Sequence, residues 1–144
     1  MTSKKPRLAH LLLAEDDRTI ARLVQAALEQ TGVAHQLTIA HNGNEVIERL
    51  ESEPFDLVLL DLHMPEKNGF EVLEHVKTHP RLRMIPVVML SSSIVPSDVD
   101  QAYQLHANAY VEKRATLADL SKTLDAILRF WIQTAVTPLA AGRG

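Results

Sequence analysis

The chain has no cysteine. Disulfide staples and thiolate metal sites are therefore excluded, which fits a reducing compartment. It also has no long apolar run. Nothing approaches the ~20 residues that a helix needs to cross a bilayer, and the N-terminus, MTSKKPRLAH, lacks the apolar stretch and small-residue cleavage site of a secretory signal. There is no basic excess, since the formal net charge is -3. That argues against the basic patch or stripe of a nucleic-acid binder. Repeats, low-complexity tracts and internal linkers are lacking too. These absences predict a soluble cytoplasmic protein with no membrane or nucleic-acid partner. What is present, 144 residues at 46% hydrophobic and 23% charged, suffices for one domain with a real core.

The stretch FDLVLLDLHMPEKNG, residues 55–69, organises the rest. Leu57, Val58, Leu59 and Leu60 form a short unbroken apolar run, as expected of a parallel strand buried on both faces. The run ends on Asp61. Pro65 and Gly69 then punctuate a loop, and helical periodicity resumes near Phe70. Residues 8–14, LAHLLLA, form a similar run that ends on Glu15, Asp16 and Asp17. A helix follows with Ile20, Leu23, Val24, Ala27 and Leu28 on one face, Asp17 as its N-cap and Gly32 as its stop. HQLTIA is a second strand, and a short helix after Asn42-Gly43-Asn44 turns Val46, Ile47 and Leu50 inward. Phe70, Leu73 and Val76 mark a third helix. PVVMLS is a fourth strand, and a helix carrying Val99, Ala102, Tyr103 and Leu105 as its apolar stripe comes next. NAYVE is a weaker fifth strand ending at Lys113. The last helix is expected over residues 116–133, with a stripe of Leu117, Leu120, Leu124, Ile127, Leu128 and Trp131.

Five strands alternating with five helices predict an α/β doubly wound sandwich with right-handed crossovers. The flavodoxin-like (βα)5 order 2-1-3-4-5 is the leading arrangement for this size. In a parallel sheet the carboxyl ends of the strands share one edge. Glu15 and Asp16, then Asp61, then Ser91 and Ser92, then Lys113 should therefore meet in one crevice. Clustered carboxylates repel, and a hard divalent cation relieves that. Mg²⁺ takes oxygen ligands and is commonly held by one or two carboxylates. With no Cys in the chain and no His at the acid positions, Zn²⁺ is a poor fit. A carboxylate can also act as a nucleophile and carry a phosphoryl group. Asp61 is thus the expected reactive group.

The AEDD run after the first strand, LLDLHMPEKNG around Asp61, MLSS after the fourth and AYVEK at the fifth together resemble the receiver domain of two-component response regulators, across residues 8–133. The resemblance implies Asp61 as phosphoacceptor, with a sensor histidine kinase as donor. It implies Mg²⁺ on Glu15, Asp16, Asp61 and the backbone carbonyl of His63. Ser91 would be the switch hydroxyl, Tyr110 the aromatic switch and Lys113 the phosphate partner. SIVPSDV, YQLHANAYVEK and the terminal RFW are similar to the stand-alone regulators paired with bacterial and cyanobacterial phytochrome kinases. One position departs from the family: Arg114 follows Lys113 where receivers usually have Pro, often after a cis bond. A cis peptide before a non-proline residue costs ~2.5–4 kcal/mol. Either that bond is trans and the loop shifts, or the site holds the strain.

Other readings stay open. A Mg²⁺-dependent phosphohydrolase with an aspartyl nucleophile would place a second acid where His63 stands. A receiver-shaped adaptor would never be phosphorylated. Asp17 is expected to do no more than start its helix, and His75 and His79, at i, i+4, are expected on the surface for want of a third ligand. Phe130 diverges from Ile127 and Trp131, which leaves an apolar side exposed, and such patches often mark association surfaces. No output domain is expected after the fifth helix. Signalling by protein contact, as a non-enzymatic homodimer, is expected, with residues 1–7 an N-terminal tail and 134–144 a tail that serves as a dimerisation arm.

Overall fold

The three central aliphatic runs become strands because each carries apolar side chains on both faces and has almost no polar side to turn to water, while the two edge strands keep partly exposed residues. In the computed structural model, which describes residues 8–138, they are β1 (Ala9–Ala14), β2 (His35–Ala40), β3 (Leu57–Leu60), β4 (Val87–Ser91) and β5 (Ala109–Glu112). They form one parallel sheet in the order β2-β1-β3-β4-β5, as expected. The register fixes which strand ends are neighbours. Ala14 pairs with both Ala40 and Leu60, and Leu60 with Met89. Glu15 and Asp61 therefore leave the sheet side by side.

Four of the five α-helices start where the sequence supplies a side-chain acceptor for the unpaired first N–H groups, and the fourth in chain order starts instead on a proline, which has no N–H to satisfy. Asp17 accepts from Thr19 and Ile20 to begin α1 (Arg18–Gln30), and Asn42 accepts from Glu45 to begin α2 (Gly43–Ser52). Asn68 and Glu71 cap each other's backbone at the start of α3 (Gly69–Thr78). Pro96 opens α4 (Pro96–Gln104), and Thr116 caps α5 (Leu117–Leu128). Gly32 ends α1 with φ +72, a conformation that favours glycine.

Helices α1 and α5 cover one sheet face, where Val24, Leu28, Leu120 and Leu124 meet Leu11, Leu59 and Leu90. Helices α2, α3 and α4 cover the other, where Val46, Leu50, Leu73 and Ala102 meet Leu12, Val58 and Met89. No helix among the described residues is long and apolar enough to cross a membrane.

Three details differ from the sequence reading. The last helix does not run regularly to residue 133. It widens after Leu128 into a π turn, Arg129–Thr134, closed by the Ala135 N–H on the Phe130 carbonyl. Tyr103 does not turn inward: it is 49% exposed, and its hydroxyl accepts the Tyr110 N–H at 3.0 Å. Val72 is fully buried on α3, which widens the stripe read from Phe70, Leu73 and Val76. Phe130 is 52% exposed as expected, with its ring edge-on to Trp131 at 5.0 Å. The two tails expected at 1–7 and 134–144 fall largely outside the described residues.

Candidate functional site

The site grows out of the sheet register. The Glu15 N–H donates to the Ala40 carbonyl at 2.9 Å, and the Asp61 N–H to the Ala14 carbonyl at 3.1 Å. Both residues thus continue the strand ladder by one step and then project from the carboxyl edge. Glycine at 69 lets the following loop return tightly: a Cβ there would lie 2.4 Å from the Asp61 carbonyl oxygen. The outcome is that carboxylate oxygens of Glu15, Asp16 and Asp61 all lie within 4.8 Å of one another. Glu15 and Asp61 are buried, while Asp16 is exposed.

Lys113 arrives from the end of β5. Its N–H donates to the Ser91 carbonyl at 2.8 Å. Its Nζ lies 2.6 Å from Glu15 Oε1 and 3.3 Å from Asp61 Oδ1. No described peptide bond is cis, so the Lys113–Arg114 bond is trans and the ammonium still reaches both acids. Of the two alternatives posed by Arg114, the trans bond holds. The Arg114 guanidinium pairs with Glu112 at 3.2 Å and lines the crevice.

One ammonium therefore faces three carboxylates. Burial raises the pKa of Glu15 above the ordinary carboxylate value; the nearby Asp61 charge adds to this, and the Lys113 hydrogen bond opposes it. The Asp17 N–H donates to the second Glu15 oxygen at 3.2 Å. The donor set is all oxygen, carries excess negative charge and is open on the Asp16 side. Those properties suit Mg²⁺, which prefers hard ligands and keeps water in part of its shell.

The surrounding crevice, of about 510 Å³, is also lined by His63, Ser92, Arg114 and Ala115, with Ile20, Leu23 and Leu120 as its apolar wall. Reading Ile20, Leu23 and Leu120 only as helix stripes assigns them to the core, so the stripe pattern carries no signal for this second role. Of the two serines at the end of β4, Ser92 reaches the crevice. Ser91 is fully buried, and its hydroxyl accepts the Ser93 N–H at 3.1 Å. The Tyr110 hydroxyl donates to the Ser93 carbonyl at 2.6 Å. Ser91 and Tyr110 are thus both tied to Ser93 rather than to the acids.

His75 and His79 are drawn into surface structure, as expected. His75 pairs with Glu51 at 3.3 Å, and His79 Nδ1 accepts the N–H groups of Arg81 and Leu82.

The family model for the response regulator receiver domain matches residues 11–125. Response regulator Rcp1 of Synechocystis sp. (strain ATCC 27184 / PCC 6803 / Kazusa) is 39% identical over 137 residues, spanning 90% of this chain and 93% of that protein. Among solved structures, the phosphorylated cyanobacterial phytochrome response regulator RcpA matches with a TM-score of 0.84 at 37% identity, covering 92% of this chain and 99% of that one. The Mn(2+)-bound form of Rcp1 matches at 0.80 and 38% identity, covering 90% and 99%.

Proposed function

The chain belongs to the response regulator receiver family, and from that premise we propose that it accepts a phosphoryl group on Asp61 from a sensor histidine kinase of the phytochrome type. The observation that carries this reading is the Lys113 ammonium, 2.6 Å from Glu15 and 3.3 Å from Asp61, at a site where Asp16 completes a cluster of three acids. The similarity to RcpA, described as a cyanobacterial phytochrome response regulator, supports the class of donor.

In the proposed reaction an Asp61 carboxylate oxygen attacks phosphorus. The bond from phosphorus to the donor's imidazole nitrogen breaks as a mixed anhydride forms on Asp61. Lys113 offsets charge on the transferred oxygens. Glu15, Asp16, Asp61 and the His63 carbonyl would hold Mg²⁺, which when bound neutralises further charge on those oxygens. Ser91 accepts the Ser93 N–H and keeps its own O–H to donate to the new phosphoryl group, while Tyr110 holds the Ser93 carbonyl. A Ser91 drawn toward the phosphoryl group pulls on Ser93 and so on Tyr110, which makes the pair a two-state element biased by local charge.

The protein acts in the cytoplasm by contact rather than by turnover. It pairs with a second copy through the end of α5, where Phe130 is half exposed. Incubation with autophosphorylated kinase and Mg²⁺ should add one phosphoryl group to the wild-type chain by intact mass, and none to Asp61→Asn. Undiminished labelling of the variant would contradict the assignment.

A further inference from the structure

The crevice draws its acids from two loops, one after β1 and one after β3. Sheet pairing sets the start of each loop; beyond the strand ends both loops touch a third segment that lines no part of the crevice, residues 41–45 at the start of α2.

This turn is internally locked. The Glu45 N–H donates to Asn42 Oδ1 at 2.8 Å, and the His41 N–H donates to Glu45 Oε2 at 3.1 Å. On one side it grips the β1 loop. His41 Nδ1 lies 3.2 Å from the Glu15 carbonyl oxygen, which can only accept, so the imidazole donates. On the other side it meets the β3 loop twice. Asn44 Nδ2 donates to Glu66 Oε2 at 2.8 Å. Gly43 lies so close to Lys67 that a Cβ built there would be 2.2 Å from the Lys67 carbonyl oxygen.

The held loop is not a relaxed one. Glu66 has φ +68, a left-handed conformation that a non-glycine residue rarely adopts, and Asn44 anchors that residue's carboxylate. The loop is pinned at its far end by the Gly69 N–H on the Leu62 carbonyl at 2.8 Å. His63 lies between the two anchors.

We infer that the first turn of α2 is a strut that fixes the spacing of the two cation-bearing loops, with Gly43 and Asn44 as positioning residues. This rests on the Mg²⁺ site of the proposed function. Mg²⁺ demands near-ideal octahedral geometry and tolerates displaced ligands poorly. A side chain at residue 43 forces the β3 loop from 2.2 Å to an ordinary contact of at least 3.4 Å, a shift of over 1 Å. Loss of the Asn44–Glu66 bond frees the same loop without crowding it.

The test is calorimetric titration of Mg²⁺ into the full chain, with thermal unfolding in EDTA as the control for folding. Asn44→Ala and Glu66→Ala should each weaken Mg²⁺ binding by roughly tenfold, in the range seen when the supports of metal ligands are removed. Their unfolding midpoints in EDTA should stay at the wild-type value. Glu66→Gln keeps an oxygen acceptor for Asn44 and should restore wild-type affinity. Gly43→Ala should weaken binding by at least as much as Asn44→Ala; if that variant does not fold, the Asn44 and Glu66 variants decide alone. Wild-type affinity in Asn44→Ala and Glu66→Ala would overturn the strut. So would weakened binding matched by a fall of the midpoint in EDTA. The underlying site has its own control: wild-type Mg²⁺ binding that survives Asp16→Asn and Asp61→Asn would overturn the site, and the strut with it.

Discussion

Two lysines show opposite uses of a partly buried ammonium. Lys113 sits between acids. In EDTA, Lys113→Met leaves Glu15 and Asp61 with no cation, and breaking a buried pair in this way costs roughly 3–5 kcal/mol. Chemical denaturation should show that loss, with part of it recovered in Mg²⁺. Lys77 has no acid partner among the described residues. Its Nζ donates to the Asn108 side chain at 2.8 Å and to the carbonyls of Ile85 at 2.9 Å and Arg83 at 3.2 Å. Burial lowers its pKa from 10.5 to about 8. Between those values the folded chain holds fewer protons than the unfolded one, so this group makes stability rise with pH across that window and costs stability below it. Compared with Lys77→Met, the wild type should gain roughly 1 kcal/mol between pH 8 and 10, after allowance for screening of a half-exposed amine. Urea melts of both chains at the two pH values would show it.

At the scale of elements, the devices that begin helices are strong and local. The Asn68–Glu71 box joins the β3 loop to α3, and Asn68→Ala should cost about 1 kcal/mol of unfolding free energy in a denaturant melt. Signals of this kind can be read in a sequence for the same reason that they work, since cap and partner lie within three residues. The Asp17 cap was read there, and the Asn68–Glu71 box was missed. Asp17 as a cap, Gly32 as a stop and the buried runs of β1, β3 and β4 needed only local pattern. β5 read more weakly because it is an edge strand with partly exposed side chains. Tyr103 was misplaced because helical spacing says which residues share a face, not whether a hydroxyl will find a backbone N–H seven residues on. The clasp of Lys77 on Asn108 and the strut of α2 join residues 31 and 22 apart in sequence. No periodicity marks contacts at that range. The acid cluster was legible despite its range because sheet topology brings strand ends together by rule.

For the molecule as a whole, ligand binding and association are the properties to measure. Mg²⁺ at about 100 times its dissociation constant should raise unfolding free energy by about 2.7 kcal/mol, with no gain in Asp16→Asn. Sedimentation of the phosphorylated chain should give a dimer, and Phe130→Asp should give a monomer; a wild-type monomer at high micromolar concentration would end the α5 interface. The central claim is that one carboxylate of the three carries the phosphoryl group. Borohydride reduction of the labelled protein converts an aspartyl phosphate to homoserine, which peptide sequencing can place. Homoserine at position 61 alone is the expected result. Homoserine at position 16, or label with no reduced acid at all, would contradict it.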